Sequence, residues 1–202
     1  LLSSEADRAV FRQCYPFSPA RVQTLIAVSA ALQRERTALK LMLQLLVDRR
    51  EDLALGQLIP VGDLWDAIAE GDELFSDAMR VHFDNAKLEA RNGVTWEAVR
   101  LGQADAAKAA VLRNDARLLK TLLLAALVPE VESLKALTAQ RLAALNHGTF
   151  KSPIPGQEAQ IVLRKLRDWA GEIGEIKVGE DQNPVLSIQI TGVDLEPILR
   201  AA

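Results

Sequence analysis

The hydrophobic pattern of this 202-residue chain changes period once, near Gly174, and that change limits the folds open to it. Before it, apolar residues recur three and four apart, the spacing of helices with one buried face. After it, Glu175-Ile176-Lys177-Val178 and Val185-Leu186-Ser187-Ile188-Gln189-Ile190-Thr191 alternate residue by residue, as half-buried strands do. Gly179 to Pro184 is a polar hairpin loop between them. The fold class that follows is mainly α: a helical bundle, then three helices and a β-hairpin. That last order is the order of a winged helix.

Proline and glycine divide the helical part. Ser4 caps a first helix that must end before Pro16, because proline biases Tyr15 away from the α region. Ser18-Pro19 starts a second, with serine as N-cap and proline at the first helical position. Its expected buried stripe is Val22, Leu25, Ile26 and Ser29. A third helix, about Glu35 to Val47, is apolar almost all round and is expected at the centre of the helical layer. Gly56 to Gly62 reads as extended. Short helices are expected from Asp63, from about Leu74, and from Thr95, which is a cap.

From Ala86 to Asn92 the periodicity fades and Asn92-Gly93 signals a turn; one explanation is that residues are missing there and the numbering closes over them. Two helices, Ala104 to Leu112 and Asp115 to Val128, are predicted next, the latter ended by Pro129. Thr138 caps another. Past the Pro153 to Pro155 link comes an amphipathic helix, Gln157 to about Ile173, with Val162, Leu166, Trp169, Ala170 and Ile173 inward. These boundaries suggest a helical domain over 1–112 and a winged-helix-like domain over 113–202.

Composition removes several function classes. Only 4% of residues are aromatic against 49% hydrophobic, so Leu, Ala, Val and Ile must build the core. A net charge of −3 gives no whole-chain attraction to nucleic acid or anionic membrane. Cys14 is the single cysteine, which excludes an internal disulfide and suits a reducing cytoplasm. The longest apolar cluster, Leu118 to Val128, contains Lys120 and is too short to span a bilayer, so no membrane role is expected. The chain opens on Leu1 without a secretory pattern or an initiator Met and is read as a piece of something longer.

No complete catalytic constellation is present. Gly148-Thr149-Phe150-Lys151-Ser152 invites comparison with a phosphate loop, but Leu145 and Phe150 stand where that loop needs its glycines. His82 and His147 lack the neighbours of a metal site. Two basic features remain. Gln157, Gln160, Arg164 and Arg167, with Lys165 adjacent, line one face of the helix that starts at Gln157, and these residue types read guanine and adenine in a major groove. Asp168, Glu172, Glu180 and Asp181 nearby would repel phosphates and suit a solvated or protein-facing surface instead. Arg34 and Arg36 sit at a helix start, where the dipole prefers acids. Pairing with Glu35 and reaching for a phosphate explain them equally well.

Tyr15-Pro16-Phe17-Ser18-Pro19, Leu32-Gln33-Arg34-Glu35-Arg36-Thr37-Ala38-Leu39, Phe75-Ser76-Asp77-Ala78-Met79 and the run Asn114 to Pro129 resemble the large PglY/BrxC-like P-loop ATPases of bacterial phage-defence systems (BREX and phage growth limitation). The resemblance implies a nucleotide-sensing lid and winged-helix portion of such an ATPase, without its catalytic core. It implies that Arg36, or Arg34, senses nucleotide phosphate. It implies ATP and Mg²⁺ held by other parts of the parent protein. The partners it implies are the rest of that ATPase, other defence proteins and DNA, with homo-oligomerisation a further expectation. The alternative is a stand-alone winged-helix DNA-binding regulator or an adaptor without ATPase activity.

Overall fold

A computed structural model describes residues 5–31, 37–51, 53–69 and 87–189. The helices are α1 (Glu5–Cys14), α2 (Pro19–Ala31), α3 (Thr37–Arg49), α4 (Leu64–Ala69), α5 (Leu88–Asn92), α6 (Trp96–Arg100), α7 (Ala106–Leu127), α8 (Ala139–Leu145) and α9 (Glu158–Ala170). A 3₁₀ turn, Val61–Asp63, precedes α4, and strands β1 (Ile176–Val178) and β2 (Leu186–Ile188) close the chain. The expected mainly helical class is the one observed.

The organising element is α7. Its 22 residues carry Leu118, Leu119, Leu122, Leu123 and Leu124, all at most 1% exposed. Burying one such leucine contributes about 1.5–3 kcal/mol. Asp105 starts the helix, accepting a hydrogen bond from the Lys108 amide at 3.0 Å. Two separate helices were expected here; one continuous helix forms, and the 112/113 division falls inside it. Asn114, a residue that can turn on its own backbone and end a helix, is instead engaged elsewhere. Its Nδ2 donates to the Thr149 carbonyl at 2.9 Å and its Oδ1 accepts from Arg117 Nη1.

The N-terminal helices pack in sequence, α1 on α2, α2 on α3, α3 on α4. Ser18 Oγ accepts from the Arg21 amide at 3.2 Å, as its capping position requires. The buried face of α2 differs from the expected stripe. Leu25 and Ser29 are inside, but Ile26 is 60% exposed while Arg21, Thr24 and Val28 are buried. The helix is rotated because Arg21 is drawn inward, its Nη1 donating to the Pro60 carbonyl and its guanidinium lying 5.4 Å from the Phe17 ring centre. Nor is α3 central: Leu43 and Val47 face solvent and Leu45 faces in.

Residues 56–62, read as extended, pair with no strand among the described residues. Their backbone is met by other groups, as when the Ile59 amide donates to the Pro16 carbonyl at 3.1 Å. Where periodicity was lost, α5 forms, ended by Gly93 at φ +60°. The Leu74 helix, with His82 and Phe83, lies outside the described residues; of the stretch Ala86 to Asn92, where residues were suspected missing, residues 87–92 are described.

The C-terminal part follows the expected order. Thr138 Oγ1 caps α8 and its backbone bridges Val185, while Leu186 N donates to the Leu137 carbonyl at 2.7 Å. β1 and β2 run antiparallel with Ile176 opposite Ile188. Ile176, Leu186 and Ile188 are buried, Lys177 and Ser187 exposed, the alternation a one-faced hairpin demands. α9 packs on α8 and β1 through Val162, Leu166 and Trp169. Helix α7, the bridge at Thr138, α8, α9 and the hairpin make a winged-helix-like end, joined through α7 to one continuous core.

Candidate functional site

Of the residues singled out by sequence, Arg34 and Arg36 lie outside the described residues. The α9 set is visible. Gln160, Arg164 and Arg167, spaced four and three apart, are exposed on the face away from Val162, Leu166 and Trp169. Lys165 is not part of that face. Its Nζ lies 2.8 Å from Asp115 Oδ1, and Asp115, buried on α7, also accepts from Asn92. The same ammonium lies 5.7 Å from the Trp169 ring centre. Lys165 thus neutralises an inward carboxylate. Asp168, Glu172, Glu180 and Asp181 are exposed, and Glu172 takes Arg91.

A second concentration of charge was not legible in the sequence. Asp63, at the end of the 3₁₀ turn, is 5% exposed. Arg117 Nε reaches its Oδ1 at 2.7 Å and Nη2 reaches Oδ2 at 3.2 Å, a two-toothed grip. Arg49 Nη2 also donates to Oδ2. Burial pushes the Asp63 carboxyl up, but the charge and hydrogen bonds of Arg117, then Arg49 and Arg21, outweigh it and hold the group below 3.8. Burial pulls Arg21 down to about 10, against the attraction of Asp63, and leaves it charged at pH 7.

Neighbouring groups lock this cluster to α7 and α8. Lys120, buried on α7, pairs with Asp66 of α4. Asn146, which follows α8, donates to Thr121 Oγ1 at 2.9 Å and to the Leu142 carbonyl at 3.1 Å, and its Oδ1 accepts from the Gly62 amide at 3.4 Å. A Cβ at Gly62 would lie 2.4 Å from the Arg117 carbonyl oxygen, so only glycine lets the turn sit against α7. One clue stood in the sequence: Arg117 and Lys120 border an apolar run, and charges carried into a core need partners. Their partners come from 54 residues away, which no local pattern announces.

The Gly148 to Ser152 segment follows the end of α8 as a turn, Thr149 N donating to the Asn146 carbonyl at 3.0 Å, and runs into further turns before α9. A phosphate loop opens directly into a helix. The described residues therefore do not fit a P-loop nucleotide site. Among them no three His, Cys, Asp or Glu side chains gather as a metal site. No helix among them is long and apolar enough to cross a membrane.

Comparison with protein families then decides the chain's place. A model described as "BREX System ATPase PglY protein 2nd domain" matches residues 1–182. The chain belongs to that family. No solved structure matches it. The match takes in α1 to α9, strand β1 and the hairpin tip, so the helical layer, the Asp63 cluster and the basic face of α9 all lie within the PglY second domain. The domain is thus a component of a BREX-system ATPase, and the resemblance noted in the sequence is the relationship found.

Proposed function

We propose that this PglY second domain couples the nucleotide state of its ATPase to contact with DNA. In this reading residues 1–112 act as a lid over a nucleotide held, with Mg²⁺, by other parts of the parent protein. Residues 113–202 act as the reader. The observation that carries it is the outward face of α9, the third helix of the winged-helix-like end. That helix gives its apolar side to the core and leaves Gln160, Arg164 and Arg167 uncommitted. Arginine and glutamine at a groove-facing helix supply bidentate donors to guanine and adenine. Helix α7 provides the mechanical link, because it packs on both the 3₁₀ turn and β2.

Nucleotide sensing is assigned to Arg36, with Arg34 as the second candidate. A cation that prefers one phosphate state shifts the lid equilibrium toward the conformation that reaches it. The setting is cytoplasmic, with other phage-defence proteins and further copies of the ATPase as partners. A second reading has its own support. Asp168 on α9 and Glu180 and Asp181 at the hairpin tip are exposed and match a partner protein of mixed charge, as an adaptor would use.

The test is duplex DNA binding by the full-length ATPase as a function of salt. Arg164→Ala with Arg167→Ala should weaken binding by about 1–3 kcal/mol for each base contact removed and relax sequence preference at the positions they read. DNA binding that ignores both substitutions refutes the reader assignment, and no DNA binding at all favours the protein-partner reading. For the lid, Arg36→Ala should uncouple ATP hydrolysis from DNA while the fold is kept. Unchanged hydrolysis and nucleotide affinity would remove Arg36 from the mechanism.

A further inference from the structure

Beside the Asp63 cluster lies a cavity of about 260 Å³, lined among others by Arg49, Ile59, Arg117, His147, Gly148 and Thr149. We propose that it is an oxyanion site that takes a phosphate group, gripped by Arg49 and Arg117. The inference is independent of the α9 reading and of Arg34 and Arg36.

The first argument is charge. Arg21, Arg49 and Arg117 converge on Asp63, while the neighbouring Lys120 and Asp66 neutralise each other. Asp48, on the far side of Arg49, is exposed and bonded to Gln44. Among the described residues, three guanidiniums therefore face one carboxylate in a largely buried setting. Arg49 and Arg117 keep 29% and 15% exposure, so this excess of positive charge is open to an anion from solvent.

The second argument is a count of donors. Arg49 and Arg117 carry five N–H bonds each. Among the described residues, three of these go to Asp63 and one to Asn114. The remaining donors belong to two guanidiniums that line the cavity. Their fork geometry suits phosphate oxygens two at a time.

The third argument is size. The volume is below the roughly 300–1,000 Å³ of sites for drug-sized ligands, which suits a small anion or one phosphate group of a larger molecule.

The test is calorimetric titration of the 202-residue chain with inorganic phosphate, and in parallel with ATP, against chloride at matched ionic strength. Phosphate-specific binding is expected. Arg49→Gln should weaken it about tenfold or more, as removal of one charge-assisted hydrogen bond does. Because Arg49 also pairs with Asp63, Arg49→Lys is the second variant: it keeps the charge beside Asp63 but loses the planar fork, so the fold persists while phosphate binding weakens severalfold. Binding of phosphate alone identifies a free oxyanion. ATP binding with the same sensitivity to both variants identifies a nucleotide phosphate. Absence of binding by either ligand overturns the proposal, as does binding that both variants leave unchanged.

Discussion

Replacing Asp63 with Asn tests whether the buried cluster holds the domain together. Asp63 receives three guanidinium hydrogen bonds and is the one carboxylate directly bonded by Arg49 and Arg117 among the described residues. Asn keeps the shape and one acceptor oxygen but places an amide donor against guanidinium donors. Breaking a buried pair from one side costs roughly 3–5 kcal/mol. The arginine side chains keep 29% and 15% of their exposure, so water recovers part of that loss. A cost of about 3 kcal/mol follows. For a chain of this size each kcal/mol lowers Tm by about 2–4 °C, giving a fall of about 6–12 °C.

Urea unfolding followed by circular dichroism measures this cost, and pH supplies an internal check. The folded pKa of Asp63 lies below the ordinary 3.8. Its contribution is therefore complete above pH 3.8 and is lost as pH falls through the folded value. Wild type and Asp63→Asn should differ by a constant amount from about pH 5 to 7 and converge in stronger acid. A difference under about 0.5 kcal/mol at pH 7, the range of ordinary surface changes, would refute the reasoning.

Gly62→Ala should destabilise by about 1–3 kcal/mol, because its Cβ meets the Arg117 carbonyl oxygen at 2.4 Å and Cα at 2.9 Å, backbone atoms that cannot rotate away. Wild-type stability in that variant would show that the turn does not press on α7. Lys165→Ala should cost about 2 kcal/mol, since it strands buried Asp115, whereas Arg164→Ala on the exposed face should cost under about 0.5 kcal/mol. Equal effects in denaturant titrations would place both lysine and arginine on the surface.

Much of the architecture could be read from the residues alone, because its causes are local. Thr95, Thr138 and Ser18 cap the helices they precede, since a side-chain oxygen reaches an amide three residues on whatever the rest of the chain does. The hairpin, the inward stripe of α9 and the winged-helix-like order followed from period and turn residues in the same way. Local pattern failed where distant groups outbid it. Two helices were expected, Ala104 to Leu112 and Asp115 to Val128, where one forms with the Asn114 side chain held by Thr149 and Arg117, and Ile26 looked buried until Arg21 turned α2 toward Pro60.

The division was sharpest at the two concentrations of charge. The sequence by itself placed Gln160, Arg164 and Arg167 on one helix face, because helical periodicity requires no partner. It could not separate Lys165 from them, since only packing brings Asp115 beneath it. The Asp63 cluster was decided wholly by the tertiary fold. Arg21, Arg49, Asp63 and Arg117 come from four elements, and only the packing of α2 on α3, α3 on α4 and the 3₁₀ turn on α7 brings them together. Electrostatic attraction acts through space, and the spacing along the chain carries no trace of it.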